Sequence, residues 1–357
     1  MDGEEKQLPL TLLRDRVSSN TFSWLEKADI EEAKKEAELD DDEAAIATAL
    51  FGQLMNANED KDDEDDGSVY ERVQEWSSST TNPDGIGGTN VYDDEEYKFD
   101  AIQNDAISVK YILSEASGGH GDDLWAAARH IANIFADPEK CGQLLGPLLL
   151  SSEMEERDNK HPLLGLKFVE LGAGAGVPSW VAMKCGATVI CTDQGIPNRI
   201  RCIAECAERN LQDMRINCAE NDDQQKALFF AEKSRACPYD WGSVIDEVVE
   251  AFHQDNQSEG NRNVLADIVI AADCIYMPQF HSQLLDSIKM LMAKTGVALL
   301  PFALHGNTKD DNVWSIVDLA KKKEFMVEIL ESKQLTPQGA FMDNKRALVN
   351  MIRLTHI

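Results

Sequence analysis

The stretch Phe168-Val-Glu-Leu-Gly-Ala-Gly-Ala-Gly-Val-Pro178 constrains this chain more than any other part of it. An apolar strand containing the acid Glu170 runs into three alternating glycines, Gly172, Gly174 and Gly176, with Ala173 between the first two. Each glycine removes a Cβ where backbone must turn sharply or approach a ligand closely. A second apolar strand, Ala187–Thr192, ends in Asp193, which lies 21 residues beyond Gly172. In a doubly wound sheet that spacing sets the acid at the carboxyl end of the neighbouring strand, where it can accept hydrogen bonds from a ribose. A dinucleotide fingerprint requires a third small residue in G-x-G-x-x-G or A. Here that position is Val177, so the pattern points to a nucleoside cofactor of another kind.

Charge is distributed unevenly. The first 100 residues hold 29 acids and 9 bases, so −20 of the net −30 sits in little more than a quarter of the chain. Phosphate contacts need clustered Lys and Arg, which argues against nucleic acid as a direct partner. The balance suits a basic protein partner, and equally well a solubility role. Acid runs at Asp40–Glu43, Glu59–Asp66 and Asp93–Glu96 alternate with Ser, Thr, Asn and Gly. Such like-charge blocks repel and stay solvated. Residues 1–100 are therefore expected to be an acidic, mostly disordered extension, with helices about 22–38 and 43–56. The second of these would carry Ile46, Leu50 and Leu54 on one face.

The eight cysteines form no C-x-x-C pair, so no metal site is expected, and the thiols fit a reducing compartment. No apolar run approaches the roughly 20 residues that span a bilayer, and the start lacks a basic, apolar leader. The expectation is a soluble cytoplasmic protein, with a nuclear pool admitted, and no membrane partner.

From about residue 100 apolar strands alternate with helices, the pattern of a parallel sheet with crossover helices. The reading places a strand near 107–113 and a helix at 123–136. Strand 166–171 is followed by helix 176–185, and strand 187–192 by helix 197–211. A third strand is expected near 214–218 and a helix over 224–235. Strand 267–272 leads to helix 279–294, then strand 297–302, helix 309–323 and strands 325–331 and 347–355. Residues 101–357 are thus expected to be one α/β domain.

Four further segments sharpen this picture: Leu124-Trp-Ala-Ala-Ala-Arg129, Tyr239-Asp-Trp-Gly242, Ala272-Asp-Cys-Ile-Tyr276 and Leu300-Pro-Phe-Ala-Leu-His305. With the E-x-G-x-G-x-G turn, they resemble the class I (seven-β-strand) S-adenosylmethionine-dependent methyltransferases. Within that class the likeness is to the eukaryotic protein lysine methyltransferases, which modify chaperones and elongation factors. It is greatest to the nicotinamide N-methyltransferase-like branch acting on the N-terminus and adjacent lysine of elongation factor 1A. The resemblance covers roughly residues 105–355.

It implies a Rossmann-like, mostly parallel seven-stranded sheet with helices on both faces, and S-adenosylmethionine as cofactor. Trp125, Glu170, the Gly172–Ala173–Gly174 and Gly176 turn, Asp193, Trp241 and Ala272 would hold that cofactor. Glu170 and the glycine turn would take its methionine portion, Asp193 its ribose and Trp241 its adenine. Asp273 and Tyr276 would be the catalytic residues facing the acceptor amine, and His305 a substrate contact. A monomer acting on a basic protein substrate, such as an elongation factor, is expected. Two other readings stay open: a small-molecule amine methyltransferase, and a cofactor-binding pseudoenzyme with the acidic arm as its working surface.

Overall fold

The structure, a computed structural model, describes residues 7–36, 73–78, 107–113, 124–149, 161–218, 222–253, 265–304, 309–335 and 346–357. The helix expected at 43–56 and His305 lie outside these residues.

Seven strands form one mixed sheet: β3 (Lys167–Leu171), β4 (Thr188–Asp193), β5 (Arg235–Pro238), β6 (Ala266–Ile270), β7 (Met292–Ala303), β8 (Phe325–Gln334) and β9 (Leu348–His356). Their order is β5-β4-β3-β6-β7-β9-β8. Neighbours from β5 through β7 pair in parallel, and β9 runs antiparallel to both β7 and β8. The chain reverses direction across the sheet between β4 and β6, both of which pair with β3. This is the switch point where open α/β sheets bind ligands.

Strand residues alternate between two apolar layers, as the period of two requires. Phe168, Val189, Cys191, Ile268 and Ile270 enter one layer. Val169, Leu171, Ile190, Val269 and Ala271 enter the other. The first layer is covered by α2 (Ala126–Ala136), α3 (Pro138–Leu149), α4 (Val177–Lys184) and α5 (Pro197–Asn217). The second is covered by α7 (Asp246–His253), α8 (His281–Leu291) and α9 (Asp310–Lys322); α6 (Asp222–Ala231) precedes β5. The seven-stranded α/β sheet expected from the sequence is the one observed.

One expectation is corrected. Residues 214–217 continue α5 instead of forming a strand, and Ile216 on that last turn is 80% exposed. The third strand is Arg235-Ala-Cys-Pro238, only four residues long and ending in proline. Proline is tolerated there because β5 lies at the sheet edge. Part of the first hundred residues is also described, including the helix expected at about 22–38. A 3-10 turn at Leu10–Arg16 and α1 (Ser19–Glu36) lie against the domain, burying Leu10, Leu13, Val17, Phe22 and Leu25. Strand β1 (Val73–Ser77) pairs antiparallel with β2 (Ser108–Ile112), and Trp76 on it is fully buried.

Polar contacts tie this N-terminal segment down. Ser18 caps α1 by accepting from the Thr21 N–H at 3.1 Å. Arg16 Nη1 donates to the carbonyls of Glu232 and Ser234 at 2.9 and 3.2 Å, and its Nε lies 3.2 Å from Glu208. Asp29 pairs with Arg201 of α5 at 2.7 Å. The acid count drew attention to charge repulsion, but the apolar residues at 10, 13, 17, 22 and 25 decide the outcome for this segment.

Because Leu13 is wholly buried and Leu12 half exposed, the two test the docking directly. Leu13→Ala is expected to lower unfolding stability by about 2–5 kcal/mol. Leu12→Ala should stay within about 0.5 kcal/mol. Urea denaturation followed by circular dichroism measures both; equal, small effects would show that the segment does not pack on the domain.

Candidate active site

The carboxyl ends of β3, β4 and β6 converge on the glycine turn. Gly172, Gly174 and Gly176 take φ values of +65°, +54° and +66°, the left-handed region that L side chains rarely adopt. A Cβ at Gly172 would come within 2.9 Å of Cys274 Sγ and 3.0 Å of the Trp241 ring, so the close approach there excludes any side chain. A Cβ at Gly174 would meet nothing within 4 Å, so the turn opens outward at that point. Ala173 N–H donates to the Thr192 carbonyl at 3.0 Å, which carries the β3–β4 pairing into the turn.

Asp193 ends β4 and is nearly buried. Its Oδ2 accepts from the Gly174 N–H at 2.7 Å. Its Oδ1 accepts from the Gln194 N–H and from Arg199 Nη1, each at 2.7 Å. A carboxylate has about four acceptor positions. Among the described residues three are used, which leaves one position on Oδ2.

Glu170 sits fully buried beneath the turn, and its Oε2 accepts from both the N–H and the hydroxyl of Ser179 on α4. Burial raises its pKa to about 8, against the opposing hydrogen bonds from Ser179. The residue thus latches α4 to β3 from inside the protein.

Asp273 follows β6 with φ of +52°, a strained backbone that Asp tolerates better than most residues. Its Oδ2 accepts from the Ala127 N–H at 3.1 Å and its Oδ1 from the Ala303 N–H at 2.8 Å. Its own N–H donates to the Pro301 carbonyl at 2.9 Å. The carboxylate therefore caps α2, whose own N-cap residue, Trp125, makes no side-chain cap bond. It also ties that helix to the end of β7. The helix it caps lies 146 residues earlier in the chain.

Tyr276 is half-buried, and burial raises its phenol to about 12, with Cys274, Asp193 and Asp273 adding to the rise and Arg199 opposing it. Trp125, Trp241 and Ala272 are likewise only partly buried. The structure thus gathers the glycine turn, Asp193, Trp241, Asp273 and Tyr276 at one edge of the sheet, with Trp125 at the start of the helix that Asp273 caps.

Three contributors escaped the sequence reading. Cys274 Sγ packs under the turn, 3.2 Å from the Leu171 carbonyl, and its thiol is held neutral by burial. It lay inside a quoted segment, and its distance from Gly172 in sequence hid the contact. Ser179 could have been suspected as a polar residue opening a helix. Arg199 carried no signal, because its pairing with Asp193 depends on how the chain enters α5.

Beside the ends of β4 and β5 lies a cavity of about 440 Å³, walled by Asn20 of α1, Gly195, Pro238, Asp240, Glu247 and Glu250 among others.

Residues 104–316, well over half of the chain, match the profile of a family described as lysine methyltransferase. The chain is 30% identical over 185 residues to a protein N-terminal and lysine N-methyltransferase, efm7, of Schizosaccharomyces pombe, which covers 50% of this chain and 62% of that protein. It is 25% identical over 205 residues to a protein of the same description from Gibberella zeae, covering 57% of this chain and 72% of the other. The chain thus spans less than two thirds of the Schizosaccharomyces pombe relative's length. Among solved structures, magnesium protoporphyrin IX methyltransferase from Synechocystis PCC 6803 is 13% identical with a TM-score of 0.34, covering 67% of this chain and 88% of that one.

Two outcomes follow from the buried carboxylates. Asp273→Ala leaves two buried N–H groups without acceptors and should cost about 2–6 kcal/mol, whereas Asp273→Asn keeps one acceptor and should cost about half as much. Equal losses in urea titrations would remove the capping role. For Glu170, the folded pKa of about 8 lies above the ordinary 4.5, so its contribution is full below pH 4.5 and lost as pH rises through 8. Stability relative to Glu170→Gln should therefore fall between those pH values; a flat difference would contradict the buried, protonated carboxyl.

Proposed function

This chain belongs to the lysine methyltransferase family, and on that premise we propose that it uses S-adenosylmethionine to methylate a lysine or N-terminal amine of a protein substrate. The observation that carries this reading is the convergence of an outward-opening glycine turn, a ribose-type acid with one acceptor position left, and two partly buried indoles.

These residues fit the cofactor. The Gly172–Gly176 turn on β3, latched by Glu170, would hold its methionine portion. The remaining lone pair of Asp193 Oδ2 would take a ribose hydroxyl. Trp241, against Gly172, would lie along the adenine, with Trp125 and Ala272 closing the other side. When bound, the cofactor supplies an electrophilic methyl group on a positively charged sulfur.

The protein's own residues prepare the acceptor. A lysine amine has an ordinary pKa of about 10.4 and must lose its proton before it can attack. Partial burial beside the site lowers that pKa. Tyr276 remains a neutral phenol at physiological pH, able to donate or accept a hydrogen bond but not to serve as a phenolate base. Asp273, with its oxygens already given to Ala127 and Ala303, acts as a positioning residue that fixes α2 and the end of β7 around the acceptor channel. Orientation of the amine toward the methyl group then supplies much of the acceleration.

Carboxylates at Asp240, Asp246, Glu247 and Glu250 around the cavity complement a cationic substrate segment. Together with the relatives' description as protein N-terminal and lysine methyltransferases, this supports a basic protein substrate, and the elongation factor or chaperone class is proposed on the sequence resemblance. Among the described residues no helix is long and apolar enough to cross a membrane. A cytoplasmic monomer is the accompanying proposal.

Incubation of the purified chain with tritiated S-adenosylmethionine and a cell extract tests the reading. A labelled protein band, lost with Asp193→Ala, is the expected result. Label confined to small molecules, or no label at all, would overturn it.

A further inference from the structure

The Asp193 carboxylate is engaged by a guanidinium that sequence patterns did not predict. Arg199 is 7% exposed, and its Nη1 lies 2.7 Å from Asp193 Oδ1. Two features of its placement cost stability. It stands in the first turn of α5, two residues after Pro197, where the helix dipole disfavours positive charge. Its Nε is also buried without a hydrogen-bond partner among the described residues, and a buried donor left unmatched is costly. The group at the other end of this side chain is Asp193.

We infer that Arg199 is a positioning residue for the ribose-binding acid, an inference that rests on the cofactor reading above. The arginine and the Gln194 N–H occupy Oδ1, and the Gly174 N–H occupies one side of Oδ2. The carboxylate is thereby locked in rotation, with a single acceptor position left on Oδ2. An acid fixed in this way accepts from one hydroxyl of a nucleoside without first reordering. Preorganisation of that kind raises affinity by reducing the entropy lost on binding. The positive guanidinium also compensates the acid's charge, both groups being buried.

The test is a double-mutant cycle on the intact chain, with S-adenosylhomocysteine binding measured by calorimetry. Arg199→Leu should weaken binding by about fivefold or more in the wild-type background and by almost nothing in the Asp193→Asn background. Arg199→Lys, which restores one charged donor, should recover part of the loss. Circular dichroism melts of the unliganded variants serve as the fold control, and a purely structural role would lower those melts without coupling to residue 193. Equal losses in both backgrounds, or no loss from Arg199→Leu, would overturn the inference while leaving the cofactor reading intact. Failure of the wild-type chain to bind S-adenosylhomocysteine would overturn both.

Discussion

The hydrogen bond from the Gly174 N–H to Asp193 Oδ2, at 2.7 Å, is the constraint on which the site depends. It joins the turn after β3 to the last residue of β4, and so fixes the relative position of the two strand ends that flank the sheet's switch point. Three left-handed glycines make the turn compact enough for that bond to form. Cys274 and Trp241 then fill the space beneath Gly172 that a side chain would have taken. Local backbone geometry, packing and the placement of a charged acceptor are thus one arrangement rather than three.

A second carboxylate does comparable work from the other flank. Asp273 binds the first turn of α2 and the end of β7, elements far apart in sequence, to the loop that carries Tyr276. Capping an N-terminus satisfies donors that a helix cannot satisfy itself. Here the cap comes from across the molecule, so the helix start that bears Trp125 is held to the same edge as the glycine turn. The aspartate of the D-x-x-Y sequence is thus committed to backbone donors of α2 and β7.

The central sheet was legible because its strands are apolar, short and punctuated by glycine: β3, β4, β6 and the following helices lie within a few residues of where periodicity set them. The strand misplaced at 214–218 failed for a physical reason. Met214 and Ile216 alternate as a strand would, but they fall on the end of a 21-residue helix already started at Pro197. The true β5 carries Arg235 and Pro238, which only an edge position tolerates. The helix expected at about 22–38 is α1, but its docking was not legible, because it rests on five separated apolar side chains. In the site, the glycines and Asp193 announced themselves through spacing. The Asp193–Arg199 pair and the Asp273–Ala127 cap did not, because each is formed by tertiary placement that no local pattern encodes.

The edge formed by Gly172–Gly176, Asp193 and Trp241 is proposed to receive the cofactor. A crystal structure of the chain grown with S-adenosylhomocysteine tests it most directly. The account predicts a ribose hydroxyl within hydrogen-bond distance of Asp193 Oδ2 and the amino-acid portion along the Gly172–Gly176 turn. Ligand density elsewhere on the protein, with Asp193 still bonded only to Gly174, Gln194 and Arg199, would contradict it.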